Sequence, residues 1–410
     1  MTAPTCRHCR TPLTEPILDL GHAPPSNAYL RAQDLSRPEK HFPLRIRICP
    51  GCLLVQTEDF TCADELFDSD YAYFSSTSTG WLRHAAEYVA MITARLELGP
   101  QSQVIEIASN DGYLLRNFVS RAIPCLGIEP TASTAGAARK FGIPTLERFF
   151  GAELGAELAA QGQAADLLIG NNVYAHVPDI NDVTRGMAIV LKPQGVITLE
   201  FPHLMRLIEF NQFDTIYHEH FSYFSLLSVV RIFEAHGLRI FDVEELPTHG
   251  GSLRIFGCHA DAGHADTGAV AGLLAVEAQR GLDRVASYET LQARAEAARN
   301  DLLRFLLDAH AAGQSVAAYG AAAKGNTILN FAGIRPDLLP YVCDAAPSKQ
   351  GKFMPGSHIP IVAPEALRAN RPDYVLILPW NIAAEVREQL ADLAAAGTRF
   401  VTAIPELRIL

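Results

Sequence analysis

The chain has 410 residues, of which 49% are hydrophobic and 19% are charged, and its formal net charge is −11. This length accommodates two or three domains, and the composition is typical of a folded globular protein and excludes a disordered one. The acidic balance, without a dense run of Lys or Arg, makes nucleic acid and anionic membranes poor partners. No apolar run reaches the roughly 18 residues of a membrane span, and the N-terminus lacks the pattern of a signal peptide. We therefore expect a cytoplasmic protein whose 8 cysteines are thiols or metal ligands.

The N-terminal segment contains two Cys-x-x-Cys motifs, formed by Cys6 and Cys9 and by Cys49 and Cys52. Four thiolates in this arrangement are typical of a tetrahedral structural zinc site. Redox-active or unliganded thiols are the alternative. His8 lies inside the first motif and could compete as a ligand, but we expect it to face solvent. The remaining cysteines are scattered and are expected to be small buried side chains: Cys62, Cys125, Cys258 and Cys343.

The segment from residue 103 has the pattern of a doubly wound α/β fold. It contains a short apolar strand at 103–107, a small-residue loop at 108–112, a helix start and a second strand at 125–128. Glu129 ends that second strand, and a carboxylate about 20 residues after such a loop binds the ribose hydroxyls of an adenosine. Further strands are predicted at 166–172 and 191–200, where a Pro-Gln-Gly turn precedes the second, and a hairpin is predicted at 238–257.

This series resembles the class I S-adenosylmethionine-dependent methyltransferases, whose Glu-x-Gly-x-Gly-x-Gly motif corresponds here to residues 106–112. Ala108 and Asn110 replace two of the glycines; alanine is small, and asparagine tolerates a left-handed backbone. An NAD-binding Rossmann domain is the alternative, and the missing Gly-x-Gly counts against it. The resemblance implies these cofactor-binding residues: Glu106, Ala108, Asn110, Asp111, Gly112, Glu129, Phe149 beside the adenine, and Asn171.

The stretch 216–225 concentrates two imidazoles, a carboxylate and two phenols, and it follows a predicted strand at 195–201 along the chain. Open α/β sheets hold their active sites beyond the C-terminal ends of strands. His218 and His220 do not have metalloprotease spacing, because His-Glu-x-x-His puts both ligands on one helical face. A polar loop with hydrogen-bonded histidines is the alternative to an active site.

The last third of the chain predicts linking helices over 265–312 and then a second α/β unit. Lys324 lies at a small-residue turn before a helix, where it could meet a phosphate. Asp344, Lys349, Trp380 and Asn381 follow strands and are expected at one edge of the second sheet. A degenerate domain used only for packing or dimerisation is the alternative.

Taken in order, these motifs resemble the three-part sugar C-methyltransferases, a family that acts on nucleotide-linked 4-keto-deoxyhexoses and includes the enzyme that makes the 3-C-methyl branch of tetronitrose. The matching motifs include Tyr-x-Tyr-x-Ser-Ser from Tyr71, His-x-Pro at His176, Glu-His-Phe at Glu219, His-Gly-Gly-x-x-Arg at His249, and Tyr-Gly-Ala-x-Ala-Lys ending at Lys324. The resemblance implies an α/β protein with a zinc-binding module over 1–70, a methyltransferase domain over 71–262, and a helical linker with a Rossmann-like sugar-nucleotide domain over 263–410.

By the same resemblance, the cofactors are S-adenosylmethionine and structural zinc, and the partner is a dTDP-type 4-keto-6-deoxy sugar methylated at C3. The oligomeric state does not follow from the sequence, and both a monomer and a homodimer stay open. An NAD-dependent nucleotide-sugar dehydrogenase or epimerase and a non-catalytic zinc-bearing binding protein remain alternatives. The implied substrate-binding residues are His249, Gly250, Arg254, Lys324, Asn326, Lys349, Trp380 and Asn381.

The implied catalytic group contains Tyr217, Glu219, His220, His176 and Tyr71. Histidine suits a base that removes the C3 proton, because its ordinary pKa lies near neutrality. We predict that His220 is this base, that Tyr217 donates to the developing enolate, and that Glu219 orients an imidazole or binds the sugar. His176 and Tyr71 would complete the polar wall. The choice of His220 over His218 or His176 stays open at this point.

Overall fold

The computed structural model describes residues 4–13, 15–58, 60 and 75–410. Tyr71 and Cys62 therefore lie outside the described residues. The strands, in chain order, are β1 Leu18–Ala23, β2 Phe42–Ile48, β3 Val55–Thr57, β4 Val104–Ile107, β5 Cys125–Ile128, β6 Thr145–Leu146, β7 Ala165–Asn171, β8 Leu191–Pro202, β9 Ser222–Tyr223, β10 Leu238–Leu246, β11 Ser252–His259, β12 Val316–Tyr319, β13 Val342–Cys343, β14 Ile361–Val362, β15 Tyr374–Ile377, β16 Arg399–Thr402 and β17 Arg408–Ile409. The α-helices are α1 Thr79–Arg95, α2 Arg116–Val119, α3 Ala132–Lys140, α4 Ala152–Ala160, α5 Ile180–Val190, α6 Leu204–Glu209, α7 Leu226–Glu234, α8 Ala269–Gln279, α9 Leu291–Ala311, α10 Ala323–Phe331, α11 Glu365–Asn370, α12 Ala383–Gln389 and α13 Ala391–Ala395.

The central sheet has seven strands in the order β10-β11-β8-β7-β4-β5-β6. Strands β6, β5, β4, β7 and β8 are parallel, and β11 pairs antiparallel with both β8 and β10. All four residues of β4 are buried, as expected for a strand covered on both faces. The strand order reverses between β4 and β7, so the loops after these two strands open the crevice where such sheets bind ligands.

The C-terminal sheet has six strands in the order β14-β13-β12-β15-β16-β17, all parallel except β17. Its order reverses between β12 and β15, which again defines a ligand crevice at their C-terminal ends. Helix α9 packs against this unit through buried residues at helical spacing, including Leu291, Leu302 and Leu306.

The N-terminal sheet is antiparallel, with the order β1-β2-β3-β9. Its last strand, β9, comes from the middle of the chain, and Val55 pairs with Tyr223. Leu18 and Ile46 of this sheet share a buried cluster with α9 and the C-terminal strands, whereas Cys6 and Cys49 belong to the core of the central sheet. The N-terminal module therefore contacts both larger units.

Several local expectations were wrong in detail. The Pro-Gln-Gly segment is a bulge within a continuous β8, because its register against β7 shifts between Leu191 and Val196. The helix after the small-residue turn already starts at Ala323, so Lys324 lies in the first helical turn. The hydroxyl of Ser78 accepts a hydrogen bond from the backbone N–H of Trp81 and so caps α1.

No helix in the described part of the chain is long and apolar enough to cross a membrane.

Candidate active site

The four cysteines of the two N-terminal motifs come together as one cluster. Their sulfur atoms all lie within 4.8 Å of one another, with Cys6 to Cys52 at 3.5 Å and Cys9 to Cys49 at 3.4 Å. A tetrahedral zinc with Zn–S bonds of about 2.3 Å would hold its sulfurs roughly 3.8 Å apart, so the cluster fits zinc. The side-chain amide of Gln56 donates to the Cys6 sulfur at 3.3 Å, which stabilises a thiolate there.

His8 is not part of this cluster. Its Nδ1 atom lies 2.8 Å from the side-chain oxygen of Asn181 on α5, and the same oxygen lies 3.1 Å from Nε2 of His236. The sulfur set is thus complete without an imidazole, as expected for a closed structural site.

The loop after β4 has the tight turn that the glycine-poor motif was expected to form. Ala108, Asn110 and Gly112 have φ values of 54°, 50° and 79°, all in the left-handed region. A Cβ atom at Gly112 would lie 3.2 Å from the Cα of Ala138 and would collide with the Ile143 side chain. Glycine is therefore required at Gly112 both by the backbone angle and by close packing of α3.

Glu129 holds this loop in place. Its carboxylate accepts hydrogen bonds from the backbone N–H groups of Asn110 and Thr131, each at 2.9 Å. A carboxylate offers about four acceptor positions, so these two bonds leave acceptor capacity for a ribose hydroxyl. The predicted contact with the ribose stays a prediction.

Three carboxyl groups, those of Glu106, Asp111 and Glu129, gather under the loop and are almost fully buried. Burial, together with the charges of Glu129 and Asp111, raises the pKa of Glu106 well above its usual range. The Oε2 atom of Glu106 and the Oδ1 atom of Asp111 are buried without a hydrogen-bond partner among the described residues. Unsatisfied buried acceptors in an acidic pocket fit a cationic ligand, and S-adenosylmethionine carries both an ammonium and a sulfonium.

The neighbouring loop after β7 contributes Asn171, whose side-chain oxygen is likewise buried and unpartnered in the part of the chain that is described. Phe149 is 54% exposed, so its ring is accessible to an adenine but is not held in a pocket. Asn172 donates to Nε2 of His249 at 3.4 Å. Burial, followed by the charge of Lys324, lowers the pKa of His249 to about 4, which keeps this ring neutral.

The stretch with the predicted catalytic residues is fixed by the N-terminal module. The hydroxyl of Thr57 donates to the backbone carbonyl of His220 at 3.1 Å. Asn27 donates to the Glu219 carboxylate from its backbone at 3.1 Å and from its side chain at 3.3 Å. The N-terminal module therefore shapes the site through Thr57 and Asn27, neither of which belongs to the four-cysteine cluster.

Tyr217 and His220 form a hydrogen-bonded couple. The phenol oxygen is 2.9 Å from Nε2 of His220, and the Nδ1 atom of that ring is 3.1 Å from the carbonyl oxygen of Thr215. Because a carbonyl only accepts, Nδ1 carries the proton and Nε2 accepts from the phenol. Burial and the neighbouring His176 lower the pKa of His220 well below its usual value. The ring is thus a neutral imidazole whose basic nitrogen faces a phenol.

His176 lies beside this couple, with its ring 4.6 Å from that of His220 and nearly perpendicular to it. Its Nδ1–H donates to the carbonyl of Glu219 at 2.8 Å. Burial lowers the pKa of His176 to about 4, although this hydrogen bond acts in the opposite direction. His176 is therefore also neutral at physiological pH.

The Glu219 side chain is 1% exposed, and burial raises its pKa above the usual value. Its Oε2 atom has no hydrogen-bond partner among the residues that the structure describes. His218 points elsewhere: its Nε2 lies 3.2 Å from the carbonyl of Pro43, and its ring packs edge-on against Phe42. These contacts with β2 separate His218 from the imidazole pair, which leaves His220 and His176 as the candidate bases.

The C-terminal unit brings Lys324, Trp380 and Asn381 to the same region. Lys324 donates to the Asn381 side chain at 2.7 Å, and its ammonium lies 4.6 Å from the centre of the Trp380 ring. The charge of Lys324 contributes to the lowered pKa of His220 and of His249, so it acts at electrostatic range on both. A Cβ atom at Gly250 would collide with the Trp380 ring, which explains the glycine there.

Two other residues that were predicted to bind the substrate, Lys349 and Asn326, make hydrogen bonds to other parts of the protein. Lys349 donates to the Ala321 carbonyl at 2.8 Å and lies 3.5 Å from the Asp344 carboxylate. Asn326 is buried inside α10, where its side-chain oxygen accepts from Asn330. These contacts place Lys349 at the sheet edge as expected, whereas Asn326 lies inside the packed helix.

Arg254 does not have the environment of an anion receptor. Its guanidinium is 6% exposed and pairs with the buried Glu200 at 3.1 Å and with Glu244 at 3.0 Å. His84 also bonds the Glu200 carboxylate, at 2.9 Å. Its charge is thus balanced within the central sheet, because β11 pairs with β8 in the register that sets Arg254 opposite Glu200. The structure argues for a structural role for Arg254.

Several residues at the site had no distinct sequence signal. Asp214 accepts from the Trp380 indole N–H at 2.7 Å. Trp81 stacks on His84 at 4.9 Å and on Tyr113 at 6.1 Å, which forms an aromatic wall beside the cofactor loop. Asp214 lies two residues before the stretch 216–225, within the sequence Phe-Asp-Thr-Ile, and a single carboxylate in such a context is too common to indicate a site.

Comparison with known proteins agrees with the division of the chain into an N-terminal module, a central unit and a C-terminal unit. Family models for a zinc binding domain, a methyltransferase domain and a C-methyltransferase C-terminal domain match residues 6–67, 81–243 and 247–405. The chain is 36% identical over 405 residues to C-methyltransferase NovU of Streptomyces niveus, which covers 99% of this chain and 96% of the relative. It is 28% identical over 98 residues to an uncharacterized methyltransferase of Mycobacterium leprae, over 24% of this chain and 36% of that one.

Among solved structures, the magnesium protoporphyrin IX methyltransferase of Synechocystis PCC 6803 aligns with a TM-score of 0.35 and 15% identity, over 44% of this chain and 84% of that one. The full-length relative is the finding that shows the family. The chain therefore belongs to the three-part C-methyltransferase family, and it is an S-adenosylmethionine-dependent methyltransferase with a zinc-binding N-terminal domain.

Proposed function

We propose that the protein methylates C3 of a nucleotide-linked 4-keto-6-deoxy sugar, with dTDP as the expected nucleotide. The observation that carries this proposal is the Tyr217–His220 couple, in which the imidazole is buried, neutral and within electrostatic range of Lys324. Methylation at carbon requires a carbon nucleophile, and a C–H group becomes acidic enough only next to a carbonyl whose oxygen is stabilised. A ketone sugar supplies such a group, and this couple supplies a base.

Bound S-adenosylmethionine supplies the methyl group as an electrophile on a cationic sulfur, which leaves as a neutral thioether. The residues suited to hold it are Glu106, Asp111 and Asn171, whose buried acceptors have no partner in the described parts of the chain, together with Glu129. The same acidic pocket disfavours the alternative of an NAD-dependent dehydrogenase, because the cofactor's diphosphate would face these carboxyl groups.

His220 is the proposed base. Its Nε2 lone pair takes the C3 proton, either directly or by accepting the Tyr217 phenol proton while the phenol oxygen removes the C3 proton. The C–H electron pair moves into the C3–C4 bond and gives the enolate, whose C3 then forms the new bond to the methyl carbon. Because the Nδ1–H of His220 remains bonded to the Thr215 carbonyl, the protonated ring is stabilised where it forms.

Glu219 is proposed to bind the sugar. Its raised pKa means that it holds a proton more readily than an ordinary carboxyl group, and its Oε2 is buried with no partner among the described residues. In the protonated form this oxygen can donate to the ketone oxygen as negative charge develops there. His176, also neutral, completes the polar wall. Tyr71, which lies outside the described residues, keeps the role that the family resemblance gave it.

Lys324 is proposed to bind the diphosphate of the sugar nucleotide. It lies in the first turn of α10, where the helix dipole also favours an anion, and Asn381 and Trp380 flank its ammonium. The C-terminal crevice between β12 and β15 opens at this point, so a nucleotide bound there would present its sugar toward His220.

The test is to incubate the protein with S-adenosylmethionine and a panel of nucleotide-linked 4-keto-deoxyhexoses and to measure product mass. The proposal expects one sugar nucleotide to gain a single methyl group, with one S-adenosylhomocysteine formed per transfer. A panel without any methyl gain, in a protein that still binds S-adenosylmethionine, would remove the sugar assignment.

A further inference from the structure

The backbone carbonyl of Thr215 orients the proposed base, and the C-terminal unit holds the residues on both sides of Thr215. The Thr215 carbonyl accepts the Nδ1–H of His220 at 3.1 Å and so selects the tautomer with a basic Nε2. Residues on either side of Thr215 make hydrogen bonds to side chains that come from more than a hundred residues further along the chain.

Thr327 holds Ile216, the residue that follows Thr215. Its hydroxyl donates to the backbone carbonyl of Ile216 at 2.9 Å, and the residue is 2% exposed. Thr327 lies on α10, about one turn after the helix starts at Ala323. Phe331 of the same helix packs edge-on against Phe213, with ring centres 5.7 Å apart. Helix α10 therefore contacts the turn by one hydrogen bond and one ring contact.

Trp380 holds Asp214, the residue that precedes Thr215. Its indole N–H donates to Oδ2 of Asp214 at 2.7 Å, and Asp214 is 1% exposed. Burial raises the pKa of Asp214 to about 6, and the charge of Lys324 opposes this shift. The Asp214 carboxylate is thus hydrogen-bonded to the ring that flanks Lys324, and it lies within electrostatic range of Lys324.

The turn's own bonds do not fix its position. The N–H groups of Thr215 and Ile216 donate to the carbonyls of Gln212 and Phe213 at 3.0 and 3.1 Å, which closes the 3₁₀ turn of Phe213–Thr215. Such local bonds set the shape of the turn, whereas its location relative to the sheet depends on bonds to other elements.

We infer that Thr327 and Trp380 are positioning residues for His220: the C-terminal unit holds the backbone carbonyl that sets the tautomer and the orientation of the base. This inference rests on the proposed function of His220. It assigns to the C-terminal unit a part in catalysis that is separate from substrate binding, because Thr327 acts only through the protein backbone.

The experiment compares Thr327→Val, Thr327→Ser and Thr398→Val in the full-length protein. Valine removes the hydroxyl of Thr327 at similar volume, and serine restores it. Thr398 is the matched control, since it is 7% exposed in the same unit and its hydroxyl donates to the Pro372 carbonyl at 2.8 Å, away from the site. The readouts are kcat and KM for methyl transfer, and ¹⁵N NMR of histidine-labelled protein, in which loss of signal in His220→Asn assigns the His220 nitrogens.

The inference predicts that Thr327→Val lowers kcat about tenfold or more, since small displacements of catalytic groups carry large rate costs. KM should change by about twofold or less, Thr327→Ser should recover most of the rate, and Thr398→Val should match the wild type. The His220 nitrogen signals should shift in Thr327→Val and not in Thr398→Val. Unchanged signals together with wild-type kcat in folded Thr327→Val would overturn the inference.

The NMR comparison does not depend on turnover, so it separates this inference from the proposed reaction. If no sugar is methylated but the His220 signals shift only in Thr327→Val, the positioning role stands and the reaction assignment fails. Should Thr327→Val not fold, Trp380→Phe, which removes the indole N–H bonded to Asp214, must shift the same signals. Unchanged His220 signals in that variant would also overturn the inference.

Discussion

The phenol oxygen of Tyr217 lies 2.9 Å from Nε2 of His220, and their rings are 4.1 Å apart, with only two residues between them in the chain. The opposite nitrogen of the imidazole is bonded to the Thr215 carbonyl. Together these contacts leave a neutral ring whose unprotonated nitrogen accepts a hydrogen bond from the phenol. In the proposed mechanism the two side chains act as one proton acceptor, so replacement of either should impair the same step.

We expect His220→Asn to lower kcat by roughly 10²- to 10⁴-fold, the usual range for loss of a general base, and Tyr217→Phe to lower it by a smaller factor. S-adenosylmethionine affinity, measured by titration calorimetry, should stay near the wild-type value in both. His218→Asn is the matched control, because that ring bonds the Pro43 carbonyl and does not contact the couple. A His220→Asn variant with wild-type kcat would remove His220 as the base.

The pH dependence of kcat/KM should reflect the lowered pKa of His220. Burial, then the neighbouring His176, stabilise the neutral ring, so the basic form persists as pH falls below the ordinary histidine value of about 6.5. Activity should therefore stay level from pH 8 to about pH 6 and decline only on further acidification, as the ring is protonated. An acidic limb with its midpoint at or above about pH 6.5 would contradict a buried neutral base.

Asp111→Asn should weaken binding of S-adenosylmethionine by about tenfold, which is roughly 1.4 kcal/mol. The Asp111 carboxylate has a buried, unpartnered oxygen in the described part of the cofactor pocket, and asparagine removes its charge at equal size. Asp242→Asn is the control, because this mostly buried carboxylate on β10 of the same sheet pairs with Arg95 at the end of α1. Equal losses of affinity in both variants would point to a general effect of sheet stability.

Removal of zinc should lower both the thermal stability and kcat. The four cysteines hold the ends of a module in which β3 pairs with β9 and Thr57 bonds the His220 carbonyl, so loss of the metal releases the backbone of the base. Unfolding temperature and turnover should fall on chelation and recover on addition of zinc, and about one zinc per chain should be found. Cys258→Ser, at a buried thiol away from the cluster, should keep the full zinc content.

Much of this architecture follows from local sequence. Buried strands such as β4 and β5 are short apolar runs, and the expectation that Ala108 and Asn110 could replace glycines in a tight loop is confirmed by their φ values of 54° and 50°. The four-cysteine cluster likewise follows from the spacing of two motifs. In each case the determining interactions are between residues close in sequence, or between motifs with a strict chemical pattern.

The contacts that shape the catalytic centre are different in kind. Asn27 reaches Glu219, Trp380 reaches Asp214 and Thr327 reaches Ile216 across long separations in the chain. No periodicity encodes such pairs, because each depends on how three sheets pack together. The sequence could not separate His218 from His220 for the same reason: a carbonyl from β2 engages His218, and a carbonyl of the adjoining turn engages His220.

The most direct test of the proposed reaction uses a nucleotide-linked 4-keto-6-deoxy sugar that carries deuterium at C3. Incubation with the protein and S-adenosylmethionine should give a product with one added methyl group and no deuterium at C3, as seen by mass and by NMR, because the base removes that atom before the new C–C bond forms. A product that gains the methyl group and keeps the deuterium at C3 would contradict carbon methylation at this position.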